Sequence, residues 1–270
     1  MYKILRLLTL LLLTLDGVSD DKWRVSLGSM FVTDFSTQLQ ISPKKIPTGI
    51  MLDTKDTLGM DYKTNVLRLD GYYRFTDTHS MDFSYFSVRS NGTIIGTLDD
   101  FDNKKIDGRI NSYFNMDIIK VNYGYSFYHN DKVELMLTAG LHVTFIDIGL
   151  SAVGTITDNT TGTVDSFYND GGSGDVTIPL PVVGFKGGYA IVKDKFFAVY
   201  RSEYFRLKFD GFEGSLVSSA ISFEYKFYEK YGLGFGYNTN KINVEIEDKK
   251  SIIRVRNNLE GFMLNLNYTY

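Results

Sequence analysis

Hydrophobic and polar residues alternate along most of this chain, and the final nine residues show the pattern most clearly. The apolar positions of that stretch are Phe262, Leu264, Leu266, Tyr268 and Tyr270. Three of the four positions between them are Asn or Thr. Because successive side chains of a strand point to opposite faces, this spacing predicts a strand with one apolar and one polar face.

The same alternation predicts nine earlier strands. They cover residues 23–33, 67–75, 81–86, 119–127, 133–145, 183–191, 195–209, 217–227 and 231–237. Four tight turns, near residues 78, 130, 194 and 229, alternate with five other loops, at 34–64, 90–111, 151–177, 210–214 and about 248. We therefore predict an all-β fold, a transmembrane antiparallel up-and-down β-barrel of ten strands. Eight strands is the alternative, if one weak hairpin lies outside the membrane or the first strand does not join.

Two strands have an irregular pattern. In residues 195–209, Phe197 and Phe205 share a face with Arg201 and Glu203, and we expect a bulge near Tyr204 to resolve the conflict. After Tyr237 the apolar positions move to the other face, at residues 242, 244 and 246. A second bulge, or a stretch of strand above the membrane, would explain that change.

The first 19 residues have the features of a secretory signal peptide. Lys3 and Arg6 precede an apolar run at residues 7–15, and a small-residue site follows at residues 17–19. The run is too short for a spanning helix, which needs about 20 residues. We therefore expect the mature protein to be one barrel domain, residues 20–270.

Composition narrows the class of protein. The chain has 20 Phe and 19 Tyr against one Trp, which suits strands and the aromatic girdles of membrane barrels. It has no Cys, which excludes disulfides, thiolate metal sites and a Cys nucleophile. Removal of residues 1–19 leaves 27 basic and 31 acidic residues, so nothing indicates nucleic acid as a partner.

Charged residues occupy the polar faces of several predicted strands. A face that alternates with a lipid-covered face must point into the lumen, where these side chains would form ion pairs, for example Arg68 and Arg74 with Asp82. The predicted lumen residues are Arg68, Asp70, Arg74, Asp82, Lys120, Glu134, His142, Lys186, Glu224 and Lys226. In a narrow barrel such side chains fill the interior, and we favour a filled lumen over an open one. The inward glycines at 232, 234 and 236 would leave space for a thin passage.

No arrangement of residues predicts catalysis. His142 is the one histidine inside a predicted strand, and Glu134 on the same face lies about 26 Å away at roughly 3.3 Å per residue. We interpret His142 as a hydrogen-bonded lumen residue. The acidic stretch at Asp99, Asp100 and Asp102 lacks the spacing of a calcium loop. We predict no catalytic residue, no metal site and no cofactor.

Three stretches, residues 69–85, 122–128 and 232–237, resemble the small bacterial outer-membrane β-barrel superfamily that includes OmpW-like and OmpA-like barrels, and more closely an uncharacterised proteobacterial branch of it. The final strand resembles the C-terminal signal by which such barrels are recognised for assembly. The resemblance implies a location in the outer membrane. It also implies contact with outer-membrane lipid and lipopolysaccharide, and help from periplasmic chaperones and the barrel-assembly machinery during folding.

The favoured function is passive, as a structural or surface-interacting barrel or as a narrow channel for small solutes. An outer-membrane enzyme with an active site at the rim and a soluble periplasmic β-barrel binder stay open as alternatives. The sequence does not determine the oligomeric state.

Overall fold

A computed structural model describes residues 22–43, 50–53, 65–101, 104–247 and 251–270. These residues form antiparallel strands in one sheet that closes on itself. The strands are β1 (Trp23–Pro43), β2 (Ile50–Asp53), β3 (Asn65–Arg74), β4 (His79–Phe101), β5 (Lys104–His129), β6 (Val133–Asp158), β7 (Val164–Val192), β8 (Phe196–Phe209), β9 (Phe212–Tyr228), β10 (Tyr231–Glu247) and β11 (Ser251–Thr269). Pairing between β1 and β11, from Arg24–Thr269 to Pro43–Ser251, closes the ring. Short β2 pairs only with β1, so ten strands form the wall, as predicted. The predicted signal peptide lies outside the described residues.

The four predicted tight turns are present, and the described residues of three predicted loops are largely strand. The turns lie between β3 and β4, β5 and β6, β7 and β8, and β9 and β10, at one end of the barrel. At the other end the strands continue into the stretches 34–64, 90–111 and 151–177 that the sequence assigned to loops, since β1 runs to Pro43 and β6 to Asp158. Between β8 and β9, Asp210 and Gly211 take φ of 41° and 78°, the left-handed backbone of a two-residue hairpin turn.

A belt of exposed apolar side chains surrounds the end of the barrel that carries the tight turns. On β5 it runs from Phe127, 49% exposed, to Ile119, 41% exposed, and along β11 it runs from Phe262 to Tyr270, the residue that follows the strand. Nine residues of a tilted strand span a height of roughly 25 Å, the apolar band of an outer-membrane barrel. Among the described residues, no helix is long and apolar enough to cross a membrane. We call this part the membrane segment, with its tight turns in the periplasm.

Beyond the belt the barrel continues as an outer segment with the opposite polarity. Its outward positions are polar, for example Arg89, Asn115 and Asp117, whereas its interior is an apolar core. The core comprises Met30, Val32, Phe35, Val66, Phe86, Val88, Phe114, Met116, Ile118, Ile146, Ile178, Leu180, Val182, Phe205, Leu216, Ile242, Val244, Val255, Leu259 and Met263. The rings of Phe35 on β1 and Phe114 on β5 lie 5.4 Å apart. Since β1 and β5 are not neighbours in the sheet, this contact crosses the lumen.

Neither of the two predicted bulges exists. β8 pairs with β9 in unbroken register from Phe196–Tyr225 to Phe209–Phe212, so Arg201, Glu203 and Phe205 all face inward. β10 pairs with β11 without a shift from Tyr231 to Glu247. The apolar residues change face there because the lipid-facing belt ends and the internal apolar core begins. The alternative expectation, a stretch of strand above the membrane, is therefore the correct one for β10.

Candidate functional site

Two neighbouring cavities that share wall residues occupy the lumen of the membrane segment. A vestibule of about 830 Å³ lies at the periplasmic mouth, among the tight turns. A smaller central cavity of about 90 Å³ lies deeper in the lumen. Arg24 and Glu224 line both cavities and form an ion pair between them. The candidate site is therefore the wall of these cavities.

The structure places the predicted lumen residues as follows. Those around the central cavity are Arg68, Asp70, Asp82, Lys120 and Glu224. Those around the vestibule are Arg74, Glu134, Lys186, Glu224 and Lys226. His142 lines neither cavity and is fully buried.

Most of these charges form ion pairs, and the partners differ from those expected from the sequence. Lys186 Nζ lies 2.8 Å from Asp82 Oδ1. Neither Arg68 nor Arg74 binds that carboxylate. Arg68 Nε and Nη2 instead donate to the two carboxylate oxygens of Asp70, on the same strand, at 2.6 and 2.8 Å. Arg74 Nη2 donates to the two carboxylate oxygens of Glu134 on β6, at 2.8 and 3.0 Å. The lumen is thus crosslinked across strands that do not pair.

A second group of residues centres on Glu203 of β8. Its carboxylate accepts hydrogen bonds from Lys120 Nζ at 2.8 Å and from Asn122 Nδ2 at 2.7 Å. Lys120 also donates to Ser218 Oγ at 3.0 Å. His142 Nδ1 is 3.8 Å from Glu203 Oε2, and neither ring nitrogen has a hydrogen-bond partner. The predicted hydrogen-bonded histidine is therefore instead a buried, unbonded one, packed beside a carboxylate.

Tyr72 forms the aromatic floor of the vestibule. The cationic groups of Lys186, Arg24 and Arg74 lie 4.9, 5.4 and 5.9 Å from the centre of its ring. Each distance is within the range of a cation–π interaction. One ring thus helps to hold three cations whose carboxylate partners are on other strands.

Sequence reasoning missed Glu203 and Arg201 as lumen residues. Both were set aside because Phe197 and Phe205 share their face, and an aromatic face was equated with lipid. One feature of the sequence indicates a further inward carboxylate. Lys120 and His142 fall on inward faces and need a carboxylate partner. Glu134 is too far along its strand to be the partner of both.

The inward glycines of β10 lie against atoms of the two neighbouring strands. A methyl group added to Gly234 would lie 2.9 Å from Asn265 Cγ, and one added to Gly236 would lie 3.0 Å from Ser222 Cα. The side chain of Asn265 on β11 and the backbone of β9 therefore occupy the space beside these glycines.

No group of three metal-ligating side chains converges within the part of the chain that the structure describes. Asp102, one of the acidic residues considered as a cation ligand, lies outside that part. The residues of the predicted assembly signal line the outside of β11, where Phe262, Leu264, Leu266 and Tyr270 are 42–50% exposed. The ring of Tyr268 is tilted against that of Trp23, at 5.4 Å between ring centres, where the barrel closes.

Comparison with known proteins shows the fold. No protein-family model and no curated protein matches the chain. Among solved structures, the outer-membrane protease OmpT from Escherichia coli matches over 95% of this chain and 99% of its own length, with 12% identity and a TM-score of 0.61. The translocator domain of the autotransporter NalP from Neisseria meningitidis matches over 100% of this chain and 96% of its own, with 11% identity and a TM-score of 0.44. OprG from Pseudomonas aeruginosa covers 94% and 99%, with 10% identity and a TM-score of 0.37. The closed sheet, its exposed apolar belt and the likeness to OmpT together identify the fold as that of a bacterial outer-membrane β-barrel.

Proposed function

We propose that this protein is a passive outer-membrane β-barrel with a closed lumen, acting as a structural or surface-interacting protein. The apolar core of the outer segment is the observation that carries this proposal. Phe35, Phe86 and Phe114 are at most 1% exposed, and their side chains fill the space that a pore would need. Of the two passive functions expected from the sequence, the structure therefore favours the one without conduction.

The physical argument rests on the cost of moving ions through apolar matter. A hydrated ion would have to lose its water inside a packed hydrocarbon layer that offers no replacement ligands. Below that layer, the ion pairs of Lys120 with Glu203 and of Lys186 with Asp82 narrow the lumen further. Two barriers of different chemistry thus stand in series.

We also propose that the barrel does not act as an enzyme. The three histidines of the chain are His79 and His129, near the periplasmic turns, and the buried His142. None is at the outer rim, where a surface enzyme would meet its substrate. Ser218 and Lys120 form a hydrogen bond, but they are only 4% and 6% exposed and lie beneath the apolar core. Hydrolysis of peptide or lipid substrates that disappears in Ser218→Ala would contradict this part.

The two zones of the barrel's outer surface indicate which membrane components the protein would contact. The apolar belt fits the acyl chains of outer-membrane lipid, and the polar outward face above it fits the headgroups and sugars of lipopolysaccharide. We also propose periplasmic chaperones and the barrel-assembly machinery as partners during folding, with the outward residues of β11 as the assembly signal. Replacing Tyr270 with Asp tests this signal, since normal membrane insertion of that variant would contradict it.

The test of a closed lumen is single-channel recording in a planar bilayer. Purified, refolded protein with a heat-shifted gel mobility should give no discrete current steps. The double variant Phe35→Ala and Phe114→Ala removes the contact across the lumen, and it should conduct. Reproducible steps from the unaltered barrel would overturn the proposal, and silence from both proteins would show that the layer of ion pairs alone closes the lumen.

A further inference from the structure

Four carboxylates and four basic side chains line the central cavity, but they do not pair only with one another. Asp70 binds Arg68, Glu203 binds Lys120, and Glu224 binds Arg24. The fourth carboxylate, Asp82, binds Lys186, which reaches it from the wall of the vestibule. Each carboxylate of the cavity wall is therefore bound to a cation other than Arg201.

Arg201 points into the cavity from β8. Its Nε is buried without a hydrogen-bond partner, and its guanidinium forms no ion pair with any residue in the described ranges. It interacts at longer range with Asp70 and Asp82, which are already bound to other cations. The side chain is partly buried, and a buried donor without a hydrogen-bond partner is unfavourable, so this Nε requires one.

A second guanidinium contributes a free donor to the same cavity. Arg68 is 8% exposed, and its Nη1 has no hydrogen-bond partner although its other two nitrogens donate to Asp70. Asn122 and Asn238, 8% and 2% exposed, also line the cavity, and their Oδ1 atoms accept no hydrogen bond. The wall therefore combines two unused cationic donors with two unused neutral acceptors.

We infer that the central cavity is a binding site for a small monovalent anion of the size of chloride, nitrate or formate. Arg201 Nε and Arg68 Nη1 donate hydrogen bonds to the anion, whose charge faces the guanidinium of Arg201. Water that accompanies it donates to Asn122 Oδ1 and Asn238 Oδ1. A volume of about 90 Å³ admits such an anion with some water and excludes a sugar acid such as gluconate.

The route to this site leads from the periplasm. The vestibule adjoins the cavity at the Arg24–Glu224 pair, and basic side chains outnumber acidic ones on its wall. The basic residues are Lys22, Arg24, Arg74, Lys132, Lys186, Lys193 and Lys226, and the acidic residues are Asp77, Asp131, Glu134, Asp194 and Glu224. A cleft with an excess of positive charge concentrates anions at its mouth. The apolar core closes the opposite side, so the site is a dead end and not a channel.

The experiment measures thermal unfolding of the full barrel in detergent as chloride replaces gluconate at constant sodium concentration and ionic strength. An anion that binds only the folded state raises the unfolding temperature in a saturable manner, by about 3 °C for a site well filled with ligand. Arg201→Met should abolish the rise. The matched control is Arg206→Met, an exposed arginine on the outer face of the same strand, which should retain it.

Each other outcome of that experiment counts against the site. An unfolding temperature that does not respond to chloride, or a response that persists in Arg201→Met, would show that the cavity holds water only. Where Arg201→Met does not fold, broadening of the chloride NMR signal by the unaltered barrel decides instead. Excess broadening that nitrate competes away and gluconate does not supports the site, and no excess broadening overturns it.

Discussion

The membrane segment and the outer segment are built from the same ten strands, yet their polarity is inverted. In the membrane segment, apolar side chains such as Ile119 and Phe127 point outward and charged ones such as Lys120 point inward. In the outer segment, Ile118 and Phe114 point inward while Asp117 points outward. The backbone register does not change between them on β10 and β11. The surrounding solvent therefore decides which face of a continuous strand is apolar.

This contrast explains how a long barrel can be stable on both sides of a lipid surface. In the membrane segment, lipid covers the apolar face and ion pairs satisfy the polar interior. In the outer segment water covers the polar face, and the interior packs as in a soluble protein. The two segments should consequently respond in opposite ways to the same kind of substitution.

The largest effect is expected for a charge placed inside the outer segment. Ile242 is 1% exposed within the core, and Ile242→Asp buries an unpaired carboxylate, which we expect to cost about 4 kcal/mol or more. Asn243→Asp, one residue further on and exposed, should change stability by less than about 0.5 kcal/mol. Urea unfolding in detergent checks both values. Equal stability of the two variants would contradict a packed core.

The next largest loss of stability is expected when an ion pair inside the membrane segment is broken. Lys120→Met leaves Glu203 without its main partner, and breaking a buried pair in this way costs about 3–5 kcal/mol. The double variant Lys120→Met and Glu203→Gln should recover most of the loss. As a control, Lys193 and Asp131 form an exposed pair at the mouth, and Lys193→Met should cost at most about 1 kcal/mol. Chemical unfolding of the unaltered barrel, of the single variants Lys120→Met and Glu203→Gln and of the double variant gives the coupling energy. A small loss in Lys120→Met would show that water reaches this pair.

The membrane segment was predictable from the sequence because lipid imposes a simple rule. Every second residue from Leu67 to Phe75 had to be apolar or small, and the charges between them had to face the lumen. The strand number and the tight turns followed from that rule. The closing contacts at Trp23 and Tyr268 are consistent with the same pattern.

The outer segment was not predicted, although its alternation is present in the chain. Phe114, Met116 and Ile118 alternate with polar residues, but their face is opposite to that of Ile119 and Phe127. If lipid is assumed to lie outside every strand, this switch of face indicates the end of the strand. The same assumption hid Glu203 and Arg201, because Phe205 belongs to the internal core and not to the lipid belt. The central cavity needed coordinates, since it depends on which charges meet across the lumen.

A smaller loss of stability is expected for a charge placed on the outward face, and its position dependence shows where the lipid-facing belt ends. Phe223 is 41% exposed within the belt, and Phe223→Arg should destabilise the folded barrel in lipid by about 2–4 kcal/mol. Val153 is also 41% exposed, on the outward face far along β6, and Val153→Arg should be nearly neutral there. Unfolding from lipid vesicles distinguishes these cases. A comparable loss in both variants would mean that the lipid surface extends beyond the belt.

The smallest effect tests the outward face of the outer segment, where ion pairs are in contact with water. Arg254 Nε lies 2.7 Å from Glu245 Oε2, and this hydrogen bond lowers the pKa of Glu245 below its ordinary value. Because the pKa is lower in the folded state, the pair stabilises the fold above pH 4.5 and loses that contribution as the pH falls through the folded pKa. The pair is partly exposed, so water screens it and its contribution is at most about 1 kcal/mol. Glu245→Gln should therefore flatten the dependence of unfolding free energy on pH between about 6 and 3 by no more than that amount. A loss several times larger would place this pair in a dry environment and contradict the water-covered outer face on which the inversion depends.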